Sequence, residues 1–295
     1  MQKAFTPRSV ARLRQRAEQT VAVLLDDLAA AGDEVVDLLD AYARPLPITM
    51  LCDLLGIPES DRRMISATVA DYDKPERAAR VTQKLGAYFD ELIAVKRAKP
   101  GQDVLSGLAG EDGLTNVEAR SLAFQLVMAG FDTTVNLIGN GILALLTHPT
   151  ELARLRADPS VLPAAVEELL RFTNPVRHST DRFTTQETTI GDVVIPQGEW
   201  VFIVTSSANY DPAQFPDPER LDFDRNTSAH LAFGHGIHYC LGASLARMEA
   251  EVAFGALIPR FPGLSLAVSP EQLRWRAVSL MHGLESLPVR LGARS

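Results

Sequence analysis

Phe233-Gly234-His235-Gly236-Ile237-His238-Tyr239-Cys240-Leu241-Gly242 is the stretch from which the rest of the chain is read. Its three glycines, at 234, 236 and 242, allow backbone conformations closed to other residues and a close approach to a flat ligand. Cys240 stands just ahead of residues 243–260, whose pattern is helical, so the helix dipole and its free N–H groups favour a thiolate over a thiol. A thiolate on a glycine-shaped loop is what an iron ligand requires. Two other readings fit the same residues. One is a free cysteine packed in the core, where such cysteines commonly lie. The other is a zinc site built from His235, His238 and Cys240, although their spacing matches no recognised zinc pattern.

Upstream, the longest periodic segment opens at Thr115-Asn116-Val117-Glu118, a capping box with Glu118 three positions after Thr115. It runs to about residue 146, and at ~1.5 Å per residue makes a rod of about 48 Å. Its centre, Ala129-Gly130-Phe131-Asp132-Thr133-Thr134, is poor helix by propensity. Glycine costs about 1 kcal/mol there, and the threonines are β-branched. A long helix that weakens itself in the middle suggests a site; the plainer account is that the threonines back-bond to the preceding turn. Glu168 and Arg171 share a face of a helix predicted at 163–171 and, if exposed, would contribute only about 0.2–0.5 kcal/mol.

Helical pattern also covers residues 7–31, where Val10, Leu13, Ala17, Val21, Leu24, Leu25 and Leu28 fall on one face, with Thr6 as N-cap and Gly32 as the stop. It returns over 36–55, broken at Pro45 and Pro47, and over 61–69, 76–99 and 150–156. Strand character marks 188–195 and 200–205, on either side of the turn Ile195-Pro196-Gln197-Gly198, and the ends 264–268 and 288–291. Residues 209–224, rich in Pro and Asp, read as ordered coil. The chain is mainly α, with small β elements in its second half.

Composition sets the outer bounds. The 295 residues are 46% hydrophobic and 22% charged, which is ordinary for a soluble globular protein and excludes disorder, collagen and a disulfide scaffold. A net charge of −8 argues against binding nucleic acid or anionic lipid. The only cysteines are Cys52 and Cys240, with no C-x-x-C pair, which favours a reducing cytoplasm. Arg8, Arg12, Arg14 and Arg16 interrupt any signal-peptide apolar core, and no run of about 18 apolar residues predicts a membrane anchor.

The cysteine loop matches in full the F-x-x-G-x-x-x-C-x-G signature of the cytochrome P450 family, through Phe233, Gly236, Cys240 and Gly242. Three further matches follow the family's order. Residues 129–134 resemble its [AG]-G-x-[DE]-T-[TS] motif, Glu168-Leu169-Leu170-Arg171 its E-x-x-R motif, and 209–220 the segment that supplies a second arginine. The similarity runs along essentially the whole chain and is closest to soluble actinobacterial members that tailor natural products.

The resemblance implies a cytochrome P450 fold over residues 1–295, mainly α, with a long central distal helix and small β elements. It implies haem b (iron protoporphyrin IX) with Cys240 as the iron ligand. Phe233, Gly236 and Gly242 would shape the loop on one side of the haem, and Ala129 and Gly130 the helix on the other, Gly130 opening the groove for dioxygen. His238 and Arg182 resemble the partners of the haem propionates. Asp132 and Thr133 resemble the acid–alcohol pair that handles protons, and Glu168, Arg171 and Arg220 a buried structural triad. Leu126, Val127, Val176 and Leu280 align with substrate-pocket walls, each also readable as core. The implied activity is hydroxylation or epoxidation of a small apolar substrate with O2, the two electrons coming from a ferredoxin and ferredoxin reductase. No flavin or nicotinamide fingerprint occurs in the chain. The opening Gln2-Lys3-Ala4-Phe5-Thr6-Pro7 resembles family sequence that normally follows several helices and a sheet, so an N-terminally truncated domain is expected. An inactive or weakly haem-binding remnant is the alternative.

Overall fold

The computed structural model describes residues 7–30, 32, 34–72, 75–277 and 280–292. The first helix, α1 (Pro7–Ala30), lays its stripe of Ala17, Val21, Leu25 and Leu28 against α10 (Ala243–Arg260). Its expected cap, Thr6, lies outside the described residues. The helical pattern expected from residue 36 is overridden at once. Val36–Asp37 forms strand β1, paired with β7 (Pro288–Arg290) in the register Val36↔Val289. Asp37 explains the change, because its Oδ1 accepts the N–H groups of Leu39 at 3.0 Å and Leu287 at 2.8 Å. A side chain that bonds nearby backbone offers an alternative to helix. After a π turn at Leu39–Ala43, α2 spans Pro45–Leu55. The prolines expected to break a helix instead lie in its first turn, where no N–H is needed for the ladder.

Next come α3 (Arg62–Val69), α4 (Pro75–Ala98) and α5 (Val104–Ala109). Helix α5, too short to show a period, starts where Asp103 Oδ1 accepts the Ser106 N–H at 2.8 Å. Helix α6 (Asn116–Thr147, 32 residues) begins with the expected capping box, the Glu118 carboxylate accepting the Thr115 N–H at 2.8 Å. It is the axis of the fold, packed by α2, α4, α10 and α8 (Leu162–Thr173). Among the described helices it is the one long and apolar enough to cross a membrane, yet half of its most apolar window is buried in the protein. Helix α7 (Pro149–Ala157) links α6 to α8.

The expected strand at 188–195 is a hairpin, β3 (Thr188–Ile190) with β4 (Val193–Ile195), folded back at Gly191 where φ is +58°. Strand β2 (Arg182–Phe183) pairs with β5 (Trp200–Val201). The expected strand does not continue to 205, because the Ile203 N–H turns to Ser179 Oγ at 3.3 Å and Thr205–Ala208 forms the single-turn helix α9. Strand β6 (Ser265–Leu266) completes the sheet β1-β7-β6.

Helix α10 carries Glu249 into the core at 2% exposure, its Oε2 without a hydrogen-bond partner among the described residues. Burial pushes this carboxyl from 4.5 up to about 8, so the neutral acid is the form the fold accepts. A raised folded pKa means that stability is whole below 4.5 and is lost as pH rises through about 8. Glu249→Gln removes that loss. Thermal melts at the two ends of the window should show a smaller drop in melting temperature for the variant than for the wild type.

Candidate functional site

The cysteine loop hangs from the N-terminus of α10. Gly234 and Gly236 adopt φ of +72° and +68°, and a β-carbon at Gly236 would meet nothing within 4 Å. The glycine there serves backbone conformation, not contact. The loop closes on itself where the Cys240 N–H donates to the Phe233 carbonyl at 2.9 Å and the Tyr239 N–H to Gly236 at 3.1 Å. Phe233 points into the core, whereas Ile237 is 97% and Tyr239 51% exposed. Cys240 is exposed and Cys52 buried, so the packed-core reading belongs to Cys52. Among the described residues no three His, Cys, Asp or Glu side chains converge on a metal position, which removes the zinc reading of His235, His238 and Cys240. Although the residue is exposed, the loop partly shields its sulfur from water and pushes the thiol up, against the Gly242 N–H and the Arg247 charge that pull it down. Cys240 lies two residues ahead of Gly242, the N-cap of α10, and a helix dipole acts only close to the terminus.

Beneath the loop, Glu168 and Arg171 are fully buried rather than an exposed pair. Arg171 Nε and Nη2 donate to the two carboxylate oxygens at 2.7 Å each. Arg171 Nη1 donates to the carbonyls of Asn209 at 2.9 Å and Pro218 at 3.0 Å, while Phe172, Tyr210 and Phe215 surround the guanidinium. The triad's third member is Arg225 and not Arg220. Arg225 Nε reaches Glu168 Oε1 at 3.1 Å with its side chain 6% exposed. The Arg220 side chain is 66% exposed and turns to Asp222, leaving its carbonyl to accept from Arg225. The physical reason is the ring of carbonyls at Pro216, Asp217 and Arg220, which matches the five donors of a guanidinium arriving from residue 225.

Residues unremarked in the sequence tie this pair to the loop. Asn209, wholly buried, accepts the Leu231 N–H on Oδ1 at 2.6 Å and donates to Asn174 at 2.7 Å. Leu231 then accepts the Gly234 N–H at 2.9 Å. Only a buried polar side chain at a predicted coil start could have signalled this, and burial is not written in the sequence.

On α6, Thr133 Oγ1 donates to the Ala129 carbonyl at 2.8 Å and Thr134 Oγ1 to Gly130 at 3.3 Å, the back-bonding arrangement. Gly130 has no β-carbon because Leu51 of α2 occupies the place, 2.7 Å from where one would stand. Close packing of α2 on α6 is thus one use of this glycine. Asp132 is ion-paired to Arg276, both side chains 15% exposed, and Asn136 Nδ2 lies 3.5 Å from the same carboxylate. Arg276 was missed because it lies 144 positions away.

The remaining candidates disperse. The Arg182 guanidinium donates to Thr180 Oγ1 at 2.7 Å and to the Asp181 carbonyl at 3.0 Å; His238 is exposed on the loop. Val176 and Leu280 are brought together, as the Arg177 N–H donates to the Leu280 carbonyl at 2.9 Å and Val176 bridges Met281. Leu126 is half-buried, and Val127 is fully buried in the hydrophobic core, which makes it a packing residue and not a pocket wall.

Against known proteins, the family model described as Cytochrome P450 matches residues 76–275. Cytochrome P450 107B1 of Saccharopolyspora erythraea is 50% identical, over 99% of this chain and 73% of that protein. The 6-deoxyerythronolide B hydroxylase of the same organism is 44% identical, over 97% and 73%. The solved structure of the tirandamycin C-bound P450 monooxygenase TamI superposes with a TM-score of 0.90 at 47% identity, covering 99% of this chain and 73% of that one.

The geometry separates the two arginines experimentally. Arg225→Met withdraws a charge-assisted bond from the buried Glu168 and should cost roughly 1.5–3 kcal/mol. Arg220→Ala removes an exposed side chain and should stay within about 0.5 kcal/mol of wild type. Urea unfolding midpoints measure both, and the reverse order would restore Arg220 to the triad.

Proposed function

The chain belongs to the cytochrome P450 family, and on that premise we propose that it hydroxylates or epoxidises a small apolar natural-product scaffold in the cytoplasm, with electrons delivered by a ferredoxin and its reductase. The observation that carries this is Cys240, the exposed cysteine on a glycine-shaped loop tied to a buried ion pair. Relatives named for hydroxylating 6-deoxyerythronolide B and for binding tirandamycin C support a natural-product substrate. The monooxygenase names among the relatives support the reaction type.

The residues fit haem b, the prosthetic group of this family. A lone soft donor stands on the loop, flanked by the exposed apolar bodies of Ile237 and Tyr239, which a flat macrocycle would take out of water. Bound there, haem supplies dioxygen activation and oxygen transfer to carbon. Cys240 Sγ would hold the iron, and the Gly242 N–H that reaches the sulfur would temper its charge. His238 and Arg182 would hold the propionates, for which Arg182 would have to give up its contacts to Thr180. Thr133 Oγ1 lends its proton to Ala129, which leaves its lone pairs to orient a proton-bearing water. Asp132 passes protons inward, held in place by Arg276. Leu126, Val176 and Leu280 face the substrate. Glu168, Arg171 and Arg225 hold the loop and touch no reactant.

Two substitutions test the assignments. Cys240→Ser should abolish the thiolate-type spectrum of the reduced carbon-monoxide complex, because a serine hydroxyl is a poor iron ligand near neutral pH; an unchanged spectrum would move the ligand elsewhere. Thr133→Ala should leave haem content intact and uncouple electron consumption from product formation. Coupling equal to wild type, measured with a working redox chain, removes Thr133 from the mechanism.

A further inference from the structure

Consecutive glutamates on α8 look to two different flanks of the cysteine loop. Glu168 serves the buried triad. Glu167 accepts from Arg247 Nε at 2.5 Å and Nη2 at 2.8 Å, and its Oε2 lies 2.9 Å from His230 Nε2. The guanidinium of Arg247, one turn into α10, stacks over the Phe233 ring at 4.5 Å and donates from Nη1 to Tyr239 Oη at 3.2 Å. The rings of His230 and Tyr239 stand 6.1 and 6.3 Å from that of Phe233. Packing does not secure this flank, since a cleft of about 390 Å³ opens along Glu167, His230, Tyr239 and Arg247. Polar contacts do. A two-point arginine–carboxylate contact fixes orientation as well as distance, and the ring it clamps belongs to the residue whose carbonyl receives the Cys240 N–H at 2.9 Å.

We propose that Glu167 is a positioning residue of the cysteine loop: by holding Arg247 on the face of Phe233 and His230 at its edge, it fixes the turn that presents Cys240. The proposal rests on the haem-thiolate reading for what the loop presents, and on the geometry alone for how the loop is held. Glu167→Gln keeps the shape and removes the charge; Glu167→Asp keeps the charge.

Hydrogen exchange of the full chain, with and without added haemin, reads the loop directly. In Glu167→Gln, amides of residues 233–240 should exchange about tenfold faster, a loss of ~1.4 kcal/mol in opening free energy. Amides of α6 should stay at the wild-type rate, and Glu167→Asp should recover most of the protection. Arg247→Lys, which loses the two-point contact, should give the same local pattern, and it decides the matter if Glu167→Gln does not fold. In the haemin-loaded protein the Gln variant should also lose part of the thiolate-type carbon-monoxide band. Wild-type exchange in the loop, or uniform acceleration throughout the chain in both variants, overturns the proposal. A wild-type chain that loads haemin but shows no thiolate-type band overturns the haem-thiolate reading instead, and the exchange rates still decide how the loop is held.

Discussion

The charge of Glu168, buried with no exposure at all, is the constraint to which the second half of the fold conforms. Removing a carboxylate and a guanidinium from water costs several kcal/mol for each ion, and their attraction offsets that only when every remaining donor and acceptor is matched. Here the matching is supplied from distant sequence. Glu168 accepts from Arg171, from Arg225 and from the Asp222 N–H at 3.1 Å, while Arg171 reaches carbonyls at residues 209 and 218. The coil between α9 and the cysteine loop has almost no regular structure, yet it is held in one conformation because its backbone completes this buried network.

From that anchor a line of hydrogen bonds leads to the chemistry. Arg171 holds Asn209, Asn209 holds Leu231, Leu231 holds Gly234, and Phe233 holds the Cys240 amide. Loops that carry function are ordinarily the mobile part of a protein. This one is tied at its start to a buried charge and at its end to a helix of the core. Helix α6 has the same character. Its apolar centre carries one acid, Asp132, and the fold sends Arg276 from near the end of the chain to hold it.

Local elements were legible wherever a residue's own neighbours determine its state. The capping box at Thr115 and Glu118, the length of α6, the stripe of α1 and the glycine loop before α10 all follow from short-range chemistry. Most of the errors come from distant partners. Val36–Asp37 looked helical but found a strand partner some 250 positions away, and Pro45 looked like a break but begins a helix after a π turn. Residues 202–205 looked extended, but their N–H groups are claimed by Ser179 and Ile203 rather than by a third strand.

The sequence by itself determined the family and the helical class, since these rest on motifs and patterns whose residues act within a few positions of one another. Tertiary structure alone decided which arginine completes the triad, what holds Asp132, and what packs against Gly130. Arg220 and Arg225 are five positions apart and chemically identical. Only the ring of carbonyls around Glu168 selects between them, because a guanidinium is stable in the interior solely where its donors are met. Leu51 of α2 lies where a β-carbon at residue 130 would stand, a contact across two helices that no local pattern announces.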